Sequence, residues 1–92
     1  MQKTFELVTT NRFLKQTDTL PENIIQQLKK QLQLLISNPR HPSLHVHTIE
    51  ETKQKIFEAY INNKYRFTFQ YGKGNQIILR NVDNHDDCIN NP

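Results

Sequence analysis

Histidines and arginines carry most of the chemistry open to this chain. His45 and His47 alternate in "SLHVHTI", and His85 follows the apolar run in "ILRNVDNHDD". Arg66 stands in "NKYRFTFQY" and Arg80 ends "QIILR". An imidazole exchanges protons near neutral pH, so it can serve as acid or as base. A guanidinium keeps its proton and offers paired donors to phosphate oxygens. The same stretch ends "HDDC", and His, Asp and Cys all ligate zinc. However, there is no second cysteine, so no metal site is expected. Cys88 has acidic neighbours that disfavour a thiolate, which makes it a poor nucleophile. On spacing alone, His85 reads first as a polar residue of a chain end.

The elements that must position these groups are legible from periodicity. In "KTFELVTT", Phe5 and Leu7 share one side and Glu6 the other, as in a short strand. Thr9 or Thr10 can cap a short helix carrying Phe13 and Leu14. In "LPENIIQQLKKQLQLLISNP", Ile24, Ile25, Leu28, Leu32, Leu35 and Ile36 form one stripe at helical spacing. Pro21 suits the first helical turn, and Asn38 before Pro39 should end the helix by about Ser37. The period then changes to two. A strand over "SLHVHTI" would place Leu44 and Val46 on one face and His45 and His47 on the other.

In "KIFEAYI", Phe57, Ala59 and Ile61 alternate with Ile56, Glu58 and Tyr60. Asn62 and Asn63 suit a hairpin turn in the left-handed region. In "KYRFTFQY", Tyr65, Phe67, Phe69 and Tyr71 share one side, and Arg66, Thr68 and Gln70 the other. Gly72 and Gly74 supply a second loop before the last strand, "QIILRNV". The expected fold is α+β, a single domain over 1–92. It has an antiparallel sheet of four to five strands with two N-terminal helices packed on one face. The other face is then open or partly covered, and the site must lie there.

Size and composition agree. A chain of 92 residues holds one core, and at 35% hydrophobic residues and a mean hydropathy of −0.77 that core is thin. A partner covering part of the surface is therefore expected. No apolar run approaches the length of a membrane span, and a lone cysteine fits a reducing cytoplasm. Between Arg40 and Arg80 stand seven Lys and Arg against three Glu, followed by Asp83, Asp86 and Asp87. Such a basic middle suits a polyanion such as RNA, with Arg40, Lys53, Lys55 and Lys64 as candidate backbone contacts. Read alone, the charge is first a solvated surface.

The order strand, short helix, "LP…NP" helix and meander, with "NKYRFTFQY" and "ILRNVDNHDD", resembles the RelE/ParE superfamily of bacterial toxins over nearly the whole chain. The resemblance implies a toxin silenced by a cognate antitoxin in a hetero-oligomer. It also implies a metal-free, cofactor-free mRNA endonuclease acting on the ribosome. By similarity Arg66 contacts the scissile phosphate region, joined by Arg80, while His85 acts as acid or base with His45 or His47. Many relatives carry an Arg four residues before that His, where this chain has Asn81, and an aromatic four beyond it, where this chain has Ile89. Strand alternation puts Arg80 and Asn81 on opposite faces unless a bulge intervenes. The alternative implied is a ParE-like or degenerate toxin that binds a protein such as DNA gyrase without cutting RNA. Arg66 and His85 are expected on the uncovered face, where their replacement barely changes stability.

Overall fold

Thr10 begins the helical half of the molecule: its Oγ1 accepts from the Phe13 N–H at 3.2 Å and donates to the Leu79 carbonyl at 3.0 Å. One hydroxyl thus caps a helix and ties it to the sheet. The computed structural model describes residues 4–49 and 55–84. The order is β1 (Glu6–Thr9), α1 (Asn11–Thr17), α2 (Glu22–Ser37), a 3₁₀ turn (Pro42–Leu44), β2 (His47–Ile49), β3 (Ile56–Tyr60), β4 (Tyr65–Tyr71) and β5 (Gln76–Asn84). Pro21 sits at the N-cap of α2, one residue outside the helix, and Asn38 ends it in an extended conformation ahead of Pro39.

The five strands lie in the order β1-β5-β4-β3-β2. β2 to β5 form the expected antiparallel meander, but β1 pairs with β5 in parallel, so the sheet is mixed. The two helices supply the long crossover that lets the chain leave one sheet edge and return at the other. Phe67, Phe69, Ile77, Leu79, Val82 and Ala59 face the helices and meet Phe13, Ile24, Leu28 and Leu35 in one core. One loop expectation changes and one holds. The β3–β4 hairpin uses no left-handed asparagine, since His45 is the only non-glycine with positive φ among the described residues. Instead Asn62 Oδ1 accepts from the N–H groups of Lys64 and Tyr65, both at 2.8 Å. Gly74, at φ 62°, provides the left-handed residue of the second loop.

α2 buries a polar residue where its stripe called for an apolar one. Gln31 is buried, and its Nε2 donates to the carbonyls of Tyr60 at 2.8 Å and Ser43 at 3.2 Å. It ties the helix to the end of β3 and to the 3₁₀ turn. By periodicity alone Gln31→Leu would improve the core. The structure predicts the opposite: two carbonyls lose their donor, at a cost of about 1–3 kcal/mol in urea unfolding.

Candidate functional site

Arg66, Thr68 and Gln70 point away from the helices, as the alternation of β4 requires. Cross-strand pairing extends that face laterally. His47 on β2 lies opposite Glu58 on β3, Glu58 opposite Thr68, and Thr68 opposite Asn81 on β5. Of the two alternatives expected for this face, open or partly covered, the structure shows the second, with the centre closed. Glu58 and Thr68 have no exposure, Asn81 has 1% and Arg66 5%. Glu58 is therefore a charged residue in the middle of the sheet, with His47 Nε2 at 3.2 Å and Arg66 Nε at 4.0 Å from its Oε1. A buried carboxylate needs such partners, because its desolvation is not repaid otherwise.

Arg66 is turned inward. Its Nη1 donates to the carbonyls of Asn62 and Tyr65, and its guanidinium carbon stands 3.5 Å from the centre of the Tyr60 ring. The residue thus braces the β3–β4 hairpin while meeting Glu58, so the expectation that its loss leaves stability unchanged is corrected. Arg80 is the extra residue of a β-bulge. Phe69 pairs with Leu79 and Thr68 with Asn81, leaving Arg80 between them. Its Nη1 donates to Gln70 Oε1, which places it on the same face as Arg66, and Asn81 joins that face too. The bulge removes the alternation that would have separated Arg80 from Asn81. α1 seals the strand beside it: Gln16 Nε2 donates to Asn81 Oδ1, and Gln16 Oε1 accepts from the Val82 N–H at 3.0 Å.

The two histidines of "SLHVHTI" do not share a strand. The segment begins as a 3₁₀ turn that His45 closes in the left-handed region, at φ 46°, and β2 starts only at His47. Pro42 in the first turn of the 3₁₀ segment accounts for the early break. The His45 ring packs on Tyr60 at 4.6 Å between centroids, while the His47 ring, exposed, reaches Glu58. His85 and Lys53 lie outside the described residues, as does the rest of the "HDDC" run. Among the described residues no three His, Cys, Asp or Glu gather as a metal site.

The remaining basic candidates scatter. Lys55 and Lys64 are exposed, directly before β3 and β4 respectively. Arg40 lines a cavity of about 470 Å³ with Pro39, Pro42, Val46, Phe57 and Tyr71, on the helix-facing side of the sheet. Burial raises the pKa of the Tyr71 phenol and Arg40 partly lowers it again. Glu58 is the residue that sequence reasoning passed over, placing it only in the alternation of its strand. Its signal was a charge flanked by Phe57 and Ala59 in an otherwise apolar strand.

No protein-family model matches this chain, and no curated protein matches it. Solved structures do. An archaeal RelE–RelB complex from Pyrococcus horikoshii OT3 superposes with a TM-score of 0.73 at 17% identity, over 88% of this chain and 94% of that one. The chain has the RelE-like toxin fold. The toxin–antitoxin complex DinJ–YafQ of E. coli gives 0.73 at 12% identity, over 94% and 96% of the two chains. A YoeB/ParE toxin from Agrobacterium tumefaciens gives 0.71 at 10% identity, over 88% and 99%. The RelE-like fold accounts for the mixed sheet and for helices on one face only. Its polar face is where this chain sets Arg66, Arg80, His47 and Glu58.

Two outcomes test this geometry. Arg66→Ala removes a buried partner of Glu58 and the brace of the hairpin, so it lowers unfolding free energy by about 3–5 kcal/mol in denaturant titration. Arg40→Ala removes the cation beside Tyr71, so the phenol titrates at higher pH than in wild type, read by ultraviolet difference absorbance.

Proposed function

We propose that the chain is the toxin of a toxin–antitoxin pair and acts as a metal-independent, ribosome-dependent mRNA endonuclease. The observation that carries the reading is the bulge at Arg80. It puts a second guanidinium on the same face of the sheet as Arg66, His47 and Glu58, the face away from the helices. Metal-free RNA cleavage uses the ribose 2′-hydroxyl as nucleophile. It needs a proton acceptor for that group, a proton donor for the 5′-oxygen, and cations over the phosphate. Arg80, with Arg66 holding the face in shape, supplies positive charge. His85 and a histidine of the 45–47 segment share the proton transfers. Lys55 and Lys64, with Lys53 and Arg40, contribute to the field that draws in RNA.

A cognate antitoxin is the proposed protein partner, forming a hetero-oligomer that keeps the toxin silent. Solved neighbours of the same fold are complexes with RelB and DinJ, and the thin core of this chain suits a partner that covers surface. A second reading is favoured by one feature. Arg66, which a nuclease of this kind would turn toward phosphate, is committed to hairpin carbonyls and to the Tyr60 ring. On that reading the chain is a ParE-like or degenerate toxin that binds a protein such as DNA gyrase.

Induction in growing cells separates the two. The nuclease reading expects growth arrest with new transcript ends inside ribosome-covered regions, and loss of those ends by about 10²–10⁴-fold in His85→Ala. Arrest accompanied by supercoiling defects and intact messages would establish the gyrase reading in its place.

A further inference from the structure

On the helix-facing side of the sheet, the segment after α2 stands off the strands and leaves a cavity of about 470 Å³. Sites for small molecules run from roughly 300 to 1,000 Å³, so a compact ligand fits. Phe57 and Tyr71 wall the cavity from the sheet, and Pro39 and Pro42 line it from the segment after α2. Three rings hold the Tyr71 side chain. Phe57 and Phe69 meet it at steep angles, 5.4 Å and 5.8 Å between centroids, and Phe5 lies 5.9 Å away. Even so, 44% of Tyr71 stays exposed, which leaves part of a fixed aromatic surface to a ligand.

The polar groups of the cavity are donors. Burial raises the pKa of the Tyr71 phenol and the Arg40 charge lowers it again, so the guanidinium stands near the phenol. Arg40 is exposed, and its side chain pairs with no carboxylate among the described residues. His41 Nδ1 accepts from the Ser43 N–H at 3.2 Å, so the ring proton sits on Nε2. That N–H has no partner among the described residues. Nor does any Asp or Glu among them line the cavity. An anion is therefore the complementary ligand, and a guanidinium grips phosphate oxygens with two donors at once.

We propose that this cavity binds one nucleotide, with its base against Tyr71 and its phosphate on Arg40. Charge complementarity selects an anion, and the aromatic wall selects a planar body. A nucleotide joins the two. Its source is either a free mononucleotide or one residue of a single-stranded RNA. The cavity lies across the sheet from Arg66, Arg80 and Glu58, so a nucleotide can occupy it whether or not the chain cuts RNA.

Equilibrium dialysis of the purified chain against AMP measures the affinity, and the ring-proton shifts of Tyr71 report the place. AMP saturates a single site. Arg40→Ala weakens AMP by about 10–100-fold and leaves adenosine, which lacks the phosphate, bound as in wild type. Tyr71→Ala weakens AMP and adenosine alike, by about tenfold, whereas Tyr71→Phe keeps the stacking surface and most of the affinity. Arg40 and Tyr71 are both exposed, so these variants fold, as circular dichroism verifies. An oligoadenylate that binds more tightly than AMP, and loses affinity in Arg40→Ala, identifies RNA as the source. Equal affinity identifies the free nucleotide. AMP that does not saturate, or that binds Arg40→Ala and wild type alike, overturns the site. So does an acidic peptide with an aromatic residue that binds through Arg40 where AMP does not, which makes the cavity a docking pocket for protein. None of these outcomes measures cleavage, so the nuclease reading stands or falls separately.

Discussion

A carboxylate with no solvent exposure, in the middle of a small sheet, constrains everything around it. Glu58 lies on the face opposite the helices, where apolar packing offers it nothing. Its charge is met by Arg66 from the neighbouring strand and His47 from the other side. Those partners are fixed in turn: Arg66 by the hairpin carbonyls and the Tyr60 ring, His47 by the start of β2. Replacing such a cluster with apolar side chains is often neutral or favourable for stability.

The sheet performs two separate tasks on its two sides. The helix-facing side holds Phe67, Phe69, Leu79 and Val82 with α1 and α2, and supplies the apolar burial on which folding depends. The other side carries the row His47, Glu58, Thr68 and Asn81, which ends at Gln16 of α1. The bulge at Arg80 serves both sides. It lets β5 keep Leu79 and Val82 in the core while turning Arg80 and Asn81 together toward the polar face. A regular strand could do only one of these, because its side chains alternate.

Much of this was legible in the residues. The stripe of α2, the strand period of "YRFTFQY" and the cap before Phe13 all depend on local spacing, and the structure keeps each of them. The separation of Arg66, Thr68 and Gln70 from the core followed from the same alternation. Local chemistry was read less well where two rules competed. Pro42 and the left-handed His45 override the strand pattern of "SLHVHTI", and Asn62 closes its hairpin with a side-chain oxygen rather than a left-handed backbone.

By itself, the order of residue types determined which segments are helix or strand and which faces are apolar, since propensity and period act over a few neighbours. Only the tertiary structure decided that β1 runs parallel to β5, that Arg80 is the bulged residue, and that Glu58 is enclosed between a histidine and an arginine. Those outcomes depend on registers between strands far apart in the chain. A shift of one residue in any of them would send the same side chains to the opposite face.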